Sequence, residues 1–232
     1  MVDDDITRLK EEYAARTKRL AGSDRYSLDN PAYLFAIQQR ERQIIKLLGK
    51  AYLSNLHVKK VLEVGCGEGG VLLDLLKFCS IPNCLFGIDL LLDRLQIAKS
   101  RLLGSHFVNA NGQNLPYRAQ SFDLLLQFTA LSSILNPTIR EKMAAEMLRV
   151  LKADGGILWY DFWWNPTNAQ TRGIQRREIK ALFPQCRFKI KKITLAPPIA
   201  RKIVPISWVG ANLLESLKIF NSHYLVLIEK LA

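Results

Sequence analysis

Two regimes of hydrophobic spacing divide the chain. Up to about residue 55 the apolar positions recur at helical intervals. Ile6, Leu9, Tyr13 and Leu20 form a stripe that predicts a helix over 3–20, and Leu34, Ile37, Ile44, Ile45, Leu47 and Leu48 predict a second over about 33–52. Gly22-Ser23-Asp24 breaks the first helix, and Asn30-Pro31 is a start signal for the second. Short apolar runs follow at 60–64, 84–89, 105–108, 122–127 and 156–162, separated by helical stretches at about 69–79, 92–102 and 138–151. This βαβα rhythm predicts a parallel sheet with helices on both faces. Runs that are apolar at nearly every position are strands covered on both sides.

The rhythm changes after residue 165. Residues 175–183 predict another helix. Residues 187–193 place lysines at alternate positions, which suits a strand near a sheet edge, where charge blocks strand addition. An apolar stretch with Pro197, Pro198, Pro205 and Gly210 precedes a last strand over 223–229. There is no internal repeat and no linker. The expected organisation is one domain: a helical N-terminal cap (1–55), a ligand-binding core (56–165) and a C-terminal part (166–232) that completes the sheet around an insertion at 195–220.

The segment Val61-Leu62-Glu63-Val64-Gly65-Cys66-Gly67-Glu68-Gly69-Gly70 carries the most chemistry. A buried strand runs into glycines and then into a helix. Gly65 and Gly67 let the backbone turn sharply and approach a ligand, and Gly69 permits close packing at the helix start. Glu63 is an acid within an apolar strand, where an unpaired charge is costly. Asp89 ends the next strand, where doubly wound folds place a carboxylate against ribose hydroxyls. A pyrophosphate site would want G-x-G-x-x-G. Here Glu68 stands near the helix start and would repel phosphate, but it is compatible with a cationic ligand.

These residues resemble motif I of the class I S-adenosylmethionine-dependent methyltransferases. Further segments are similar in the same order: Phe86-Gly87-Ile88-Asp89-Leu90, Asn111-Gly112-Gln113-Asn114-Leu115-Pro116-Tyr117, Ser121-Phe122-Asp123-Leu124-Leu125, and Leu148-Arg149-Val150-Leu151-Lys152-Ala153-Asp154-Gly155-Gly156. Together they span about 60–160 and look most like the type 11 methyltransferases of the small-molecule branch. The resemblance implies a Rossmann-like, doubly wound α/β fold: a mostly parallel seven-stranded sheet, the last strand antiparallel, with an N-terminal helical cap. It also implies S-adenosylmethionine as cofactor and S-adenosylhomocysteine as product. Gly65, Cys66 and Gly67 would line the methionine part, with Glu63 supporting the loop. Asp89 would bind the ribose, Leu90 would pack on the adenine, and Asn111 with Gly112 would stand beside the adenine amino group. Gln127 and Phe128 would flank the methyl donor. Ser133 stands where many relatives have His.

For the acceptor, Trp163 and Trp164 after the fifth run, and Tyr26 and Tyr33 in the cap, are candidate pocket walls; packing is the alternative for all four. Asp161 is the candidate general base, ahead of His57 and His223, both expected to lie away from the site. Methyl transfer needs little beyond in-line placement of donor and nucleophile, so a dedicated base is dispensable.

Charge then narrows the partners. The 232 residues carry 33 Lys+Arg against 21 Asp+Glu, a net charge of +12, which favours anionic partners. Residues 172–192 hold eight cations, Arg172, Arg176, Arg177, Lys180, Arg187, Lys189, Lys191 and Lys192, against the single acid Glu178. They form either a solvated face or an anion-binding surface. The apolar, cation-flanked 195–220 stretch is either a lid or a membrane-surface patch. The expected acceptor is a small molecule, a hydroxyl of a sugar, glycan or lipid-linked intermediate. The alternatives are an RNA or protein acceptor on the basic surface, and a non-catalytic cofactor-binding partner protein. An acidic start without an apolar leader points to a cytoplasmic protein. The cysteines Cys66, Cys79, Cys84 and Cys186 lack metal or redox spacing and are expected to be reduced, and no metal is expected.

Overall fold

The computed structural model describes residues 2–78, 80–166 and 168–231. Cys79 lies outside the described residues. Seven strands, β1 (Val61–Val64), β2 (Leu85–Asp89), β3 (His106–Asn109), β4 (Phe122–Phe128), β5 (Leu151–Phe162), β6 (Cys186–Leu195) and β7 (Asn221–Lys230), form one sheet in the order β3-β2-β1-β4-β5-β7-β6. Strands β1 to β5 run parallel, and β7 lies antiparallel between β5 and β6. β6 is the edge strand that its alternating lysines predict. The expected doubly wound sheet with one antiparallel strand is present.

The buried strands divide their side chains by period two. Leu62, Val64, Leu125, Ile157 and Trp159 face helices α5 (Pro137–Val150) and α6 (Arg176–Leu182). Val61, Leu124, Leu126, Leu158 and Tyr160 face α2 (Pro31–Leu53), α3 (Gly70–Leu75) and α4 (Leu92–Arg101). Asn30 caps α2, its side chain accepting from the N–H groups of Ala32 and Tyr33, with Pro31 at the first helical position. Helix α3 is shorter than the 69–79 expected; it passes into a single 3-10 turn over Leu76–Phe78.

Helix α1 (Val2–Leu20) lies over the carboxyl end of the sheet rather than in its core. Asp5 Oδ2 accepts from the N–H groups of Leu135 and Asn136, both at 3.1 Å. Arg8 donates to the Ser133 carbonyl at 2.6 Å and to Gln170 at 2.8 Å. Farther along, the Arg94 guanidinium of α4 stacks on the Tyr13 ring at 5.0 Å. The helix is thus held on both banks of the sheet end. The 195–220 stretch forms two short helices, α7 (Pro197–Ile203) and α8 (Trp208–Ser216). They pack on α2 through Ala32, Phe35, Ala200, Val204 and Ala211.

Candidate cofactor site

A cleft of about 660 Å³, counted with its mouth, opens at the carboxyl ends of β1 and β2 beneath α1. The turn after β1 forms its floor. Gly65, Gly67 and Gly69 have φ of 76°, 52° and 74°, a region that costs an L side chain energy and glycine nothing. A Cβ on Gly65 would stand 2.6 Å from the Ala130 Cβ, so the β1 turn and the loop after β4 touch there. At Gly69 the contacts would be Leu102 at 3.0 Å and Ala98 at 3.2 Å, the close helix packing that the sequence implies. Glu68 pairs with Arg101 at 3.3 Å, so its charge is not left facing the turn alone.

Of the residues expected at a cofactor, Gly65, Asp89, Leu90, Asn111 and Gly112 come together as cleft lining. Asp89 does more than sequence suggests. Its Oδ2 accepts the Gly67 N–H at 2.7 Å and its Oδ1 the Leu91 N–H at 2.9 Å, so the carboxylate also ties the glycine turn to β2. The Asn111 Oδ1 accepts the Gln113 N–H at 3.0 Å and shapes the 111–114 turn. Glu63 and Cys66 lie beneath the cleft, both buried. Burial pushes the Glu63 carboxyl well above the usual carboxylate range, against the opposing pull of Arg40. Its Oε2 finds no hydrogen-bond donor.

Other expectations need correction. Gln127 and Phe128 do not line the cleft. Gln127 is fully buried, its Nε2 donating to Asp161 Oδ2 at 2.9 Å. Phe128 points to the opposite face, tilted against Tyr160 at 5.5 Å with the Arg40 guanidinium over its ring at 5.6 Å. Asp161 is not open to an acceptor. It is buried and accepts from Gln127, from the Ser132 N–H at 3.0 Å and from the Phe162 N–H at 2.8 Å. Burial raises its carboxyl, and the bond from Ser132 ties the loop after β4 to β5. Trp163 turns toward β7, donating Nε1 to the Asn221 carbonyl at 2.6 Å, with the Lys192 ammonium 3.9 Å above its ring. Trp164 is exposed. Tyr26 and Tyr33 contact each other edge to face at 5.5 Å, outside the cleft.

The cap contributes Ile6, Leu9 and Tyr13 to the lining instead, and α5 with its preceding loop contributes Ser133, Ile134, Ile139 and Met143. The signal for the first three was present as the α1 stripe, but such a stripe equally describes a helix packed on a core.

His223 does not line the cleft. Because β7 runs antiparallel, its first residues lie at the carboxyl end of β5, where His223 pairs with Phe162. The ring stacks on Tyr160 at 4.5 Å and 3°, and contacts the Ser222 hydroxyl at 2.9 Å. Burial, helped by Arg40, pushes its pKa down to about 3. An unfolded histidine titrates near 6.5. Below that pH the unfolded chain takes up a proton that the folded one refuses, so His223 favours folding above 6.5 and its contribution falls as acid is added. Urea unfolding of the wild type is expected to weaken between pH 6.5 and 5, and His223→Gln to flatten that limb. His57 precedes β1, at the far end of the sheet.

A mostly parallel sheet in this order, with its cleft over the glycine turn and the acid ending β2, is the Rossmann-like fold that methyltransferases share. Residues 61–155 match the family described as "Methyltransferase domain". A phthiotriol/phenolphthiotriol dimycocerosates methyltransferase of Mycobacterium ulcerans is 32% identical over 136 residues, covering 53% of this chain and 48% of that protein. A fatty-acid O-methyltransferase of Mycolicibacterium smegmatis is 35% identical over 105 residues, covering 44% of this chain and 37% of that protein. The chain therefore spans about half the length, or less, of these curated relatives. A solved SAM-dependent methyltransferase of Thermotoga maritima shares the fold at a TM-score of 0.62 and 17% identity, covering 93% of this chain and 98% of that one. Among the described residues no group of His, Cys, Asp and Glu side chains could hold a metal ion, and no helix is long and apolar enough to cross a membrane.

Proposed function

We propose that the protein transfers a methyl group from S-adenosylmethionine to a small-molecule hydroxyl on a sugar, glycan or lipid-linked intermediate. The observation that carries the cofactor half is the orphaned Glu63 Oε2 under a left-handed glycine turn, next to a cleft holding Asp89, Leu90, Asn111 and Gly112. A buried carboxyl oxygen without a partner is costly, and a cationic amino group bound at the turn would supply one and favour the ionised form. Gly65, Cys66 and Gly67 would cradle the amino-acid end, Asp89 would accept from ribose hydroxyls with its remaining lone pairs, and Leu90, Asn111 and Gly112 would enclose the base. Bound there, S-adenosylmethionine supplies an electrophilic methyl group on a sulfonium and leaves as S-adenosylhomocysteine.

The residues then have a limited task. Tyr13 and Asp89 are the titratable side chains among the described cleft lining, and neither is an evident proton acceptor for the nucleophile. Asp161 and His223 are buried and engaged elsewhere. The chemistry rests on holding an acceptor oxygen in line and keeping water out, both of which α1 serves by covering the cleft. The acceptor class is supported by the two lipid methyltransferases among the relatives and by the surplus of cations. It is tested by incubating the protein with labelled S-adenosylmethionine and, separately, lipid extracts, glycans and RNA. Label in an organic-extractable, alkali-stable product is the expected result; label in RNA or in protein would overturn the small-molecule reading.

A further inference from the structure

Helix α8 is apolar on its outer side as well as toward the core it covers. Its inward positions are Ala211 and Glu215, both buried, with Leu214 and Trp208 packed partly against Phe35 and its neighbours. The Glu215 carboxylate accepts the Thr194 N–H at 3.0 Å. Outward, at four-residue spacing, stand Val209, Leu213 and Leu217, exposed to 71%, 64% and 57%. Ile206 before the helix is 83% exposed and Ile219 after it 66%, with Phe220 also uncovered. Apolar side chains scattered singly on a surface need no explanation, but a contiguous run along one helix and both of its flanking turns does.

The charges that 196–220 carries outward are of one sign. Glu215 is the only acid between 196 and 220, and it is turned inward. Arg201, Lys202 and Lys218 are exposed beside the apolar stripe. Lys191 of the neighbouring edge strand is held below the usual lysine range by burial and by the nearby Lys46 and Lys218 ammonium groups, which places a further set of cations on the same flank. An apolar strip rimmed by cations has the chemistry of a helix that lies in the plane of a lipid interface. There the side chains enter the acyl boundary and each nearby Lys or Arg is attracted to anionic headgroups. A protein partner would have to supply both an apolar groove and an acidic rim. An anionic bilayer supplies both everywhere.

We infer that the α7–α8 face docks the protein on an anionic phospholipid surface through Ile206, Val209, Leu213, Leu217, Ile219 and Phe220, with Arg201, Lys202 and Lys218 at the headgroups. This goes beyond the proposed methyl transfer and does not depend on it, since docking needs neither cofactor nor acceptor. The test is cosedimentation of the full chain with vesicles of phosphatidylcholine alone and of phosphatidylcholine mixed with phosphatidylglycerol. Binding to the mixed vesicles that weakens with salt is expected, because the headgroup attraction is screened. The double variant Val209→Glu/Leu213→Glu alters only exposed positions, so its thermal unfolding should match the wild type, while its vesicle affinity should drop ~10-fold or more. Lys202→Glu/Lys218→Glu should lose most of the preference for the mixed vesicles. Three results would overturn the inference: no binding to either vesicle; binding that Val209→Glu/Leu213→Glu leaves unchanged, which would assign it to the 172–192 cations; or a dimer in solution that this variant dissociates without any vesicle binding, which would make a second copy the occupant.

Discussion

Saturating S-adenosylmethionine or S-adenosylhomocysteine should raise the melting temperature of the wild-type protein by roughly 5–10 °C. A ligand at ~100 times its dissociation constant adds about 2.7 kcal/mol to the folded state. For a chain of this size each kcal/mol is worth about 2–4 °C. The shift should largely vanish in Asp89→Ala. That variant is also expected to melt lower without ligand, because the Gly67 and Leu91 N–H groups lose their acceptor. Leaving a buried donor unpaired costs about 1–3 kcal/mol. The measurement is therefore the difference with and without ligand within each protein. Asp89→Asn separates the two roles: one amide oxygen can still serve the turn, while the charge-assisted bond to a ribose hydroxyl is weakened. A wild type that shows no shift at millimolar ligand would remove the cofactor reading and leave the fold intact.

The largest loss of stability is expected from Arg140→Ala. Arg140 is fully buried in α5, yet it serves the cleft rather than the core. Its Nε donates to the Ile134 carbonyl at 2.6 Å, its Nη2 reaches the Leu135 carbonyl at 3.4 Å, and its Nη1 pairs with Glu178 of α6. It thereby holds the stretch that also receives Asp5 of the cap. Removing one partner of a buried ion pair costs about 3–5 kcal/mol, and Glu178 keeps Arg172 at 3.1 Å as a second partner, which places the loss toward the lower end. A drop of about 6–12 °C follows. Arg140→Lys should recover part of it, since a point charge can satisfy Glu178 but cannot bridge to both carbonyls. Urea unfolding measures the first effect. Arg140→Ala should also loosen the cleft wall, and cofactor affinity measured at a temperature where the variant remains folded checks this.

The parts of this arrangement that were legible from sequence are those fixed by local backbone chemistry. The glycine turn needs left-handed residues, the acid must end β2 to meet it, and both conditions are written within a few residues of Gly65 and Asp89. What was not legible depends on directions set by distant packing. Gln127 and Phe128 both end β4, and period two puts them on opposite faces. Sequence gives that alternation but not where the cleft opens, and neither side chain points into it. Tyr13 lines the cleft where Tyr26 and Tyr33 were expected, because the path of α1 is decided by Asp5 and Arg8 gripping a loop some 130 residues away. Asp161 looked available because nothing nearby in sequence reveals that Gln127 and Ser132 consume its lone pairs.

The position of β7 also bears on how the protein is made. Residues 221–230 lie between β5 and β6, yet both of those neighbours leave the ribosome first. Until β7 emerges, the backbone of β5 is an open edge, lined by Leu158, Trp159 and Tyr160 with nothing to pair them. The sheet cannot close during synthesis in the order in which its strands appear. Its completion waits on contacts between β5 and a strand about 70 residues later, the kind of non-local pairing that slows folding and leaves nascent chains prone to joining one another. Low expression temperature or a holding chaperone should therefore raise the soluble yield more than changes to the cleft would.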